Sequence, residues 1–345
     1  MKAIVFYEHG GIENLQYIDF PTPKPAPNQV LVNVKAVTLN RLDLFVRQGF
    51  PGLNLEMPHI LGSDIAGIVT EVGIDTQEVE VGQKVVVDPN LYCGICEFCI
   101  RGHHSLCKDY AIIGEHKRGG YAEFVSVQAE NVIPIPERSN LDFFQASAVP
   151  LTFMTAWRML VTKGQLKAGE DILITGIGGG VALAAMQIAK LVGARVFVTS
   201  SSSEKLKKAE KLGADFGINY RENPDWHKEI YSLTNRRGVD MVADSAGQAT
   251  WEKSLRSLRK GGRLVTCGAT TGSMAQTNIA LLFWNQLEIF GSTMASRSEL
   301  RDVLKLVWNR KLKPIIDQIL PLSEAKKGHQ ILGEGRQFGK IVLHP

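Results

Sequence analysis

Four cysteines lie close together in one loop and have the spacing of a metal site. They are Cys93, Cys96, Cys99 and Cys107, separated by two, two and seven residues. Four thiolates can complete a tetrahedral zinc shell, which leaves no position for water or substrate. Buried free thiols and an iron–sulfur cluster are the alternatives, but a ferredoxin run has a closer fourth cysteine followed by Pro, where this chain has Lys108. The spacing therefore predicts one structural Zn²⁺ per chain within residues 93–107.

A glycine-rich turn is the second chemical signal. It lies in ITGIGGGVALAAMQIAK (174–190), between an apolar strand and an amphipathic helix, with Gly176, Gly179 and Ala182 three residues apart. Glycines at such a turn let a pyrophosphate approach the backbone and bind at the helix N-terminus. Glycine is common in other turns as well, so the prediction depends on the strand before it, the helix after it and the five strands that follow. The residues expected to bind a dinucleotide here are Gly176, Gly178, Gly179, Gly180 and Val181.

The end of the next strand bears on which nicotinamide cofactor binds. An NAD-binding protein usually offers a carboxylate there to the ribose 2′-hydroxyl. This chain has Thr199 followed by four serines, then Lys205 two residues after the last serine. Ser201, Lys205 and Tyr220, which ends the following strand, could hold a 2′-phosphate. We therefore expect NADP(H) to be preferred over NAD(H), although the serines could instead only cap a helix.

The elements that must position these residues differ between the two halves of the chain. Short alternating runs, broken by Pro and Gly, predict a curled β domain: VLVNVKA (30–36), IAGIVTEVG (65–73), QKVVVDP (83–89) and YAEFVSV (121–127). Six later strands with helices between them predict a doubly wound parallel sheet: DILITG (171–176), RVFVTS (195–200), FGINY (216–220), MVADSAG (241–247), RLVTCG (263–268) and LEIFGS (287–292). Ser203 is expected to cap the helix at 204–213.

The domain limits follow from these patterns. Residues 1–152 are expected to form the β-rich domain, and residues 153–296 the doubly wound one. The segment 297–345 offers one more helix and an FGKIVL strand, and we expect it to return to the first domain. The two domains are expected to share a cleft.

Composition narrows the possible partners. The formal net charge of +4 is spread along 345 residues, which favours neither nucleic-acid nor membrane binding. No run approaches the roughly 18 apolar residues that a membrane span needs. With no secretion signal and clustered cysteines, we expect a cytoplasmic protein that acts on a small molecule.

These motifs and their order resemble the medium-chain dehydrogenase/reductase superfamily, which includes zinc alcohol dehydrogenases and zinc-independent quinone oxidoreductases. The resemblance covers nearly the whole chain. It implies an α/β protein with a GroES-like catalytic domain and a Rossmann coenzyme domain. It also implies a homodimer or homotetramer built through the coenzyme domains.

Departures from the zinc alcohol dehydrogenases bear on the mechanism. Their Cys-His-x-Asp motif is replaced by Asn40-Arg41-Leu42-Asp43, and their Gly-His-Glu by Gly62-Ser63-Asp64. The segment of the third ligand, VPLTFMTAW (149–157), has no Cys or His. A substitute site would have to be built from Asp43, Asp64, His59, Glu115 or His116, and zinc prefers nitrogen and sulfur donors. We therefore expect no catalytic zinc.

The quinone oxidoreductases offer a closer match, because their Leu-Asn-x-x-Asp segment corresponds to Leu39–Asp43. The match implies that Asn40 lies beside the nicotinamide and donates a hydrogen bond to cofactor or substrate; the alternative is that it only fixes a turn. Asp43 is interpreted as structural. Asp64 could orient groups at the site and His116 could relay a proton, but each could equally be a structural polar residue.

The same resemblance implies further cofactor contacts at strand ends. Those expected are Thr155, Ala246, Gly247, Cys267, Gly268, Ala269, Gly291, Ser292, Thr293 and Lys340. The alternative is that the glycines only end strands and that Lys340 is solvated. Cys267 itself is expected to be a small buried residue and not a nucleophile.

Three functions remain open from the sequence. The first is an NADPH-dependent reductase of quinones or α,β-unsaturated carbonyl compounds, which relies on positioning and on oxyanion-stabilising donors. The second is an alcohol dehydrogenase with an atypical site. The third is a cofactor-binding protein with little turnover. Side chains that could shape a substrate pocket are otherwise expected in the core: Phe45, Phe50, Met57, Phe153 and Trp284.

Overall fold

The computed structural model describes all residues from Met1 to Pro345. The chain forms two compact units, Met1–Leu151 with Ser296–Pro345, and Thr152–Ala295. The second unit is thus inserted into the first. Its limits in the structure are 151/152 and 295/296, next to the limits 152/153 and 296/297 expected from the sequence. None of the helices combines the length and the apolar character needed to cross a bilayer.

The strands alternate with short loops in the first half of the chain and with helices in the second half. They are β1 (Lys2–Val5), β2 (Gln16–Asp19), β3 (Gln29–Thr38), β4 (Asp64–Val72), β5 (Lys84–Val87), β6 (Asn90–Leu91), β7 (Ala111–Ile112), β8 (Phe124–Gln128), β9 (Val132–Pro134), β10 (Asp171–Ile174), β11 (Arg195–Ser200), β12 (Phe216–Asn219), β13 (Val239–Asp244), β14 (Leu258–Thr266), β15 (Glu288–Gly291), β16 (Ile316–Pro321) and β17 (Lys340–His344).

The helices are mostly short in the first unit and longer in the second. They are α1 (Arg41–Gln48), α2 (Glu97–Ile100), α3 (Phe143–Ser147), α4 (Pro150–Trp157), α5 (Gly180–Val192), α6 (Ser203–Lys211), α7 (Trp226–Leu233), α8 (Trp251–Ser257), α9 (Ile279–Trp284), α10 (Arg297–Trp308) and α11 (Ala325–Gly333). A π-helical turn covers Arg158–Lys163, and 3₁₀ turns cover Ile12–Asn14, His104–Leu106, Ala129–Asn131, Glu137–Ser139 and Leu322–Glu324.

A curled sheet forms the first unit. Its strands run in the order β16-β17-β3-β4-β5-β9, and β8 adds to β3. Alternating apolar residues of β3 and β4, such as Val30, Val32 and Ile65, are buried in one core, as the period-two pattern of these strands requires. The sheet brings β17, from the end of the chain, against β3. The β-rich prediction for this domain is therefore confirmed.

The second unit contains a parallel sheet with the strand order β12-β11-β10-β13-β14-β15. Every neighbouring pair in it is parallel. This order reverses between β10 and β13, which defines the doubly wound Rossmann fold and puts ligand sites at the carboxyl ends of the strands. Buried residues such as Leu173, Phe197 and Val242 form its core. The fold predicted from the six strand signals is confirmed.

Two predictions about helices were wrong. The side chain that caps α6 is Ser202, whose hydroxyl accepts from the backbone N–H of Lys205, and not Ser203. The segment after residue 297 holds two helices, α10 and α11, and not one. Gly328 and Gly333 lie within α11, and glycine lowers the helix propensity of a segment, so the helical signal there is weak.

Candidate functional site

The four predicted zinc ligands converge on one point. Their sulfur atoms all lie within 4.8 Å of one another. The sulfur of Cys93 is 3.5 Å from that of Cys107 and 4.0 Å from that of Cys99. A tetrahedral zinc with Zn–S bonds of about 2.3 Å requires sulfur–sulfur distances of about 3.8 Å. The residues present therefore fit a structural zinc, which would cross-link this loop.

Local backbone geometry prepares the thiols for a metal. The backbone N–H groups of Cys93 and Asp109 donate to the sulfur of Cys107, at 3.3 and 3.4 Å. The backbone N–H of Cys99 is the main cause that lowers the pKa of the Cys96 thiol to about 6. Zinc binds the thiolate form, so the donors at Cys96 favour the ligand state there, whereas burial raises the pKa of the Cys99 thiol to about 12. His104 contacts the backbone N–H of Arg297 through Nδ1.

The glycine turn forms an open cradle at the start of α5. Gly176 has φ of 70°, and a Cβ atom on it would meet nothing within 4 Å. The first-turn N–H groups of Gly180 and Val181 have no intrahelical acceptor, and Gly179, which precedes the helix, has no side chain to cap them. Such a terminus suits an anionic phosphate. The turn itself is anchored, since the backbone N–H of Ile177 donates to the carbonyl of Thr199.

The predicted 2′-phosphate residues lie together at the end of β11. The backbone N–H of Tyr220 donates to the carbonyl oxygen of Ser200 at 3.0 Å, which brings Tyr220 beside the serine run. Ser201 is half-buried there. One carboxylate is also near, because Glu222 accepts from Ser203 Oγ at 2.9 Å and from Asn219 Nδ2 at 2.6 Å. It follows the third strand and does not end the second strand, where NAD-binding proteins place their acid.

Asp244, a residue not singled out from the sequence, organises the next strand end. It is fully buried, and one of its oxygens accepts from the backbone N–H groups of Ala246 and Gly247. Its other oxygen accepts from the hydroxyls of Thr250 and Ser254. A Cβ on Gly247 would lie 3.0 Å from Ala269 Cα, so this loop packs closely on the one after β14. The signal in the sequence that could have identified Asp244 was an acidic residue at the end of a buried strand.

The remaining predicted cofactor residues of this unit lie at or after the ends of β14 and β15, except Thr155, which lies in α4. Gly268 and Ala269 follow β14, Gly291 ends β15, and Ser292 and Thr293 follow it. The hydroxyl of Ser292 is buried without a hydrogen-bond partner, as are those of Thr152 and Thr175. The hydroxyl of Thr155 donates a hydrogen bond to the sulfur of Met294, at 3.8 Å. Unpaired buried hydroxyls cost stability unless a ligand satisfies them. The chemistry of this set therefore fits a dinucleotide.

Asn40, Asp64 and Lys340 form one hydrogen-bonded group in the first unit. The ammonium of Lys340 donates to Asn40 Oδ1 at 2.5 Å and to Asp64 Oδ2 at 3.2 Å. Asn40 Nδ2 donates to the same Asp64 oxygen at 2.9 Å. Each side chain is at most 5% exposed. Burial lowers the pKa of Lys340, and the adjacent Asp64 raises it. The structure thus places Lys340 with the two predicted catalytic residues.

Asp43 fixes the backbone beside this group. Its two oxygens accept from the backbone N–H groups of Asn40 and Gly62, at 2.6 and 3.1 Å. It thereby links the start of α1 to the segment that leads into β4. Burial raises the pKa of Asp43 to about 7, although the N–H of Asn40 and the charge of Lys340 oppose the rise. Burial, followed by the charge of Asp43, raises the pKa of Glu115 to about 7.

The donors around Asn40 do not suit a catalytic zinc. The amide oxygen of Asn40 is engaged by a lysine ammonium, and that cation would repel a divalent metal at the same place. The Ser63 hydroxyl, at the position of a histidine ligand in the alcohol dehydrogenases, is buried without a partner. His59 donates from Nε2 to the carbonyl of Gly114, and burial lowers its pKa to about 4. These residues form no cluster comparable to the four cysteines.

Two further residues are placed apart from the Asn40 contacts. His116 is exposed, and its Nδ1 accepts from the backbone N–H of Ile112. Cys267 is half-buried, and burial raises the pKa of its thiol to about 12. A thiol that stays protonated at neutral pH is a poor nucleophile.

Comparison with known proteins agrees with the fold and the motifs. Residues 26–137 match the alcohol dehydrogenase GroES-like domain, and residues 180–309 match the zinc-binding dehydrogenase family. The chain is 30% identical to acryloyl-coenzyme A reductase of Sulfurisphaera tokodaii, with all of both chains covered, and 30% identical to quinone oxidoreductase 1 of Escherichia coli, with 99% of each covered. A crystal structure of an NAD-dependent alcohol dehydrogenase is 45% identical, has a TM-score of 0.96 and covers all of both chains.

The chain therefore belongs to the medium-chain dehydrogenase/reductase superfamily. It is an NAD(P)-dependent oxidoreductase of this superfamily. The resemblance inferred from the cysteine run, the glycine turn and the order of elements is confirmed.

Proposed function

We propose that this chain transfers a hydride from NADPH to a quinone or an α,β-unsaturated carbonyl compound without a catalytic zinc. The observation that carries the proposal is the hydrogen-bonded Asn40–Lys340–Asp64 group, in which Asn40 and Asp64 belong to the two segments that match ligand motifs of the zinc alcohol dehydrogenases. A site whose donor set does not suit a Lewis-acid metal favours an acceptor that is already activated. Two relatives with nearly full coverage are named for such acceptors, acryloyl-coenzyme A and quinone.

The residues of the chain would bind and orient the reactants. NADPH, when bound, supplies a hydride from nicotinamide C4 and is released as NADP⁺. In an α,β-unsaturated carbonyl compound the hydride would bond to the β-carbon, the carbon–carbon π pair would shift towards the carbonyl carbon, and the carbonyl π pair would move to the oxygen to give an enolate. A quinone would take up one hydride and one proton to give the hydroquinone. A proton from water then completes the product. Asn40 is proposed beside the nicotinamide, with Asp64 fixing its amide, and exposed His116 is the candidate to pass the proton from solvent.

The preference for NADPH is supported by the residues at the end of β11. Thr199 and the serines that follow offer hydroxyls where NAD-binding proteins have a carboxylate. Ser201, Lys205 and Tyr220 are the proposed partners of the 2′-phosphate. The proposed contacts of the rest of the cofactor are Thr155, Gly176, Gly178, Gly179, Gly180, Val181, Ala246, Gly268, Ala269, Gly291, Ser292 and Thr293.

The test is acceptor-dependent oxidation of NADPH by the purified chain. The panel would contain 1,4-naphthoquinone, cyclohexenone, trans-cinnamaldehyde and acryloyl-coenzyme A, each with NADPH and with NADH. Saturable turnover with at least one of them, and no cofactor reduction by simple alcohols, is the expected result. NADPH binding without turnover on any acceptor would contradict the proposal and favour a binding protein with little activity.

An alcohol dehydrogenase is the second candidate. It is favoured by the relative with 45% identity, whose name is NAD-dependent alcohol dehydrogenase. Primary and secondary alcohols that reduce NAD⁺ or NADP⁺ at rates above those of the activated acceptors would establish it instead.

We also propose that two copies associate through the coenzyme unit. Strand β15 is at the end of the parallel sheet and pairs only with β14. Ile289 on this strand is 37% exposed, and Phe283 and Trp284 of the preceding helix α9 are 63% and 74% exposed. An open edge flanked by exposed apolar side chains favours pairing with a second chain.

The core positions expected for two aromatic residues were wrong, because Trp284 and Phe50 are exposed, whereas Phe153 is buried as expected.

A further inference from the structure

Lys340 is a buried cation at the first residue of β17. Only 5% of it is exposed, and β17 lies between β16 and β3 in the sheet. An ammonium in such a place requires a counter-ion and hydrogen-bond acceptors. Asp64 and Asn40 supply them, from the start of β4 and the start of α1. The three residues are brought together by three different elements, so the fold holds this cation in a fixed position.

The hydrogen bonds within this group leave one donor for a ligand. Asn40 uses its oxygen for Lys340 and its amide hydrogens for Asp64 and the carbonyl of Thr38. Asp64 accepts from the backbone N–H of Leu151 with one oxygen and from Asn40 and Lys340 with the other. An ammonium has three N–H groups, and Lys340 uses two. Of these three side chains, Lys340 is the one with a donor left.

The charge balance of the group resembles that of a catalytic zinc site. A zinc held by two thiolates and a histidine is neutral overall but presents a local cation to the substrate. The Lys340–Asp64 ion pair is also neutral, with buried Asp43 close enough to act on the charge of Lys340, and it holds a local cation beside Asn40, the residue at the position of the first zinc ligand. A cation held in advance by the fold costs no reorganisation when negative charge develops near it.

We propose that Lys340 is the electrophilic catalytic residue, which binds the carbonyl oxygen of the acceptor with its remaining N–H. This inference rests on the proposed function. As the hydride forms the new C–H bond and the π electrons move to the oxygen, the ammonium stabilises the resulting enolate, and the proton from water is added afterwards. The lysine thus takes over the task that zinc has in metal-dependent relatives, and Asn40 and Asp64 act as positioning residues.

The test compares three variants: Lys340→Met, Asp64→Asn and the double variant with both changes. Lys340→Met removes the charge and the donors while keeping the length of the side chain, but leaves Asp64 unpaired. The double variant removes both charges, so it should fold even where the single one does not. We expect kcat to fall by about 100-fold or more in the double variant, with the Kd of NADPH within about threefold of wild type. Lys305→Met, a surface lysine paired with Asp302, is the control.

Each outcome separates this role from the alternatives. A double variant with near wild-type kcat would mean that Lys340 only neutralises Asp64, and would overturn the inference. Weaker NADPH binding with unchanged kcat would make Lys340 a cofactor contact and would also overturn it. As a chemical rescue, ethylammonium should restore kcat to Lys340→Ala in proportion to its concentration, whereas sodium chloride should not. A wild-type chain that reduces no acceptor contradicts the proposed function itself; an active wild type with a fully active double variant contradicts only the role of Lys340.

Discussion

The guanidinium of Arg297 lies 5.3 Å from the ring centre of Tyr92, the residue directly before Cys93. The ring of His104 also stacks on Tyr92, with 4.0 Å between the two ring centres. The backbone N–H of Arg297 in turn donates to His104 Nδ1. Arg297 is the first residue of α10, so the cysteine loop is packed against the start of this helix. Loss of zinc should therefore destabilise the start of α10 as well as the loop itself.

Replacing Cys107 by Ser should remove the zinc and lower the melting temperature by about 5 °C or more, since a structural zinc contributes directly to folding. Elemental mass spectrometry of untagged protein should give about one zinc per wild-type chain and close to none for the variant. Cys267→Ser, which lies outside the loop, is the control and should keep its zinc. About two zinc ions per wild-type chain would reveal a second site and favour the alcohol dehydrogenase.

Replacing Asn40 by Ala should lower kcat by about 10- to 100-fold and change the Kd of NADPH little, because the change removes a group that orients reactants. Lys340 and Asp64 would still pair in this variant. Steady-state kinetics and fluorescence titration measure the two quantities. Asn33→Ala, whose amide bonds a backbone carbonyl in the same unit, is the matched control. An unchanged kcat would remove Asn40 from the mechanism.

Replacing Ser201 by Asp should weaken NADPH binding by about 100-fold and leave NADH binding within a few-fold of its original value, because a carboxylate repels the 2′-phosphate but accepts a bond from a 2′-hydroxyl. Fluorescence titration with both cofactors tests this. Ser232→Asp introduces the same charge on exposed helix α7 and should alter neither affinity. Wild-type protein that binds NADH more tightly than NADPH would refute the proposed preference.

The free energy of unfolding should fall as the pH rises, because of two buried carboxyl groups near Asn40. The pKa values of Asp43 and Glu115 are both raised to about 7, mainly by burial. Between about pH 4 and pH 7 the folded chain therefore keeps protons that the unfolded chain has released, so a rise in pH favours unfolding until these carboxyls have ionised. Below this range both states are protonated, and the stabilising contribution is fully present.

Replacing Glu115 by Gln should remove part of this dependence. Its loss of stability between about pH 5 and about pH 8 should be smaller than that of wild type by about 1–3 kcal/mol. Urea unfolding at the two pH values gives the comparison. Exposed Glu78 replaced by Gln provides the control, with a pH dependence like that of wild type. Equal dependence in all three proteins would show that Glu115 ionises normally.

Replacing Ile289 by Lys should dissociate the proposed dimer, because a charge at the centre of a paired strand edge opposes its pairing. Light scattering after size-exclusion chromatography gives the mass directly. The control is Ile74→Lys, which changes an equally apolar residue that is 89% exposed in the other unit. If wild type is already a monomer, or if the Ile289 variant keeps its mass, β15 is not the interface.

The residues that sequence patterns could place were those whose neighbours are close along the chain or are set by sheet geometry. Cys93 to Cys107 lie in one loop, and the glycine turn connects one strand to one helix. Tyr220 could be placed beside the serines because adjacent parallel strands end at the same edge. The Lys340–Asn40 contact spans 300 positions and depends on how β17 enters a sheet, which no local pattern specifies. The Ser202 cap differed by one residue because four consecutive serines can all serve as caps.

The position of β17 also affects the order in which the molecule can be completed during synthesis. The strand follows the whole coenzyme unit in the chain, yet it lies inside the first sheet and carries Lys340 to Asn40 and Asp64. The strands of the coenzyme unit are contiguous in the chain, so that unit can fold on the ribosome while the first sheet still lacks a strand. Long-range pairing of this kind is slow because it must close a large loop. A chain that stops before Lys340 would therefore contain every strand of the coenzyme unit but would lack the Asn40–Lys340–Asp64 group.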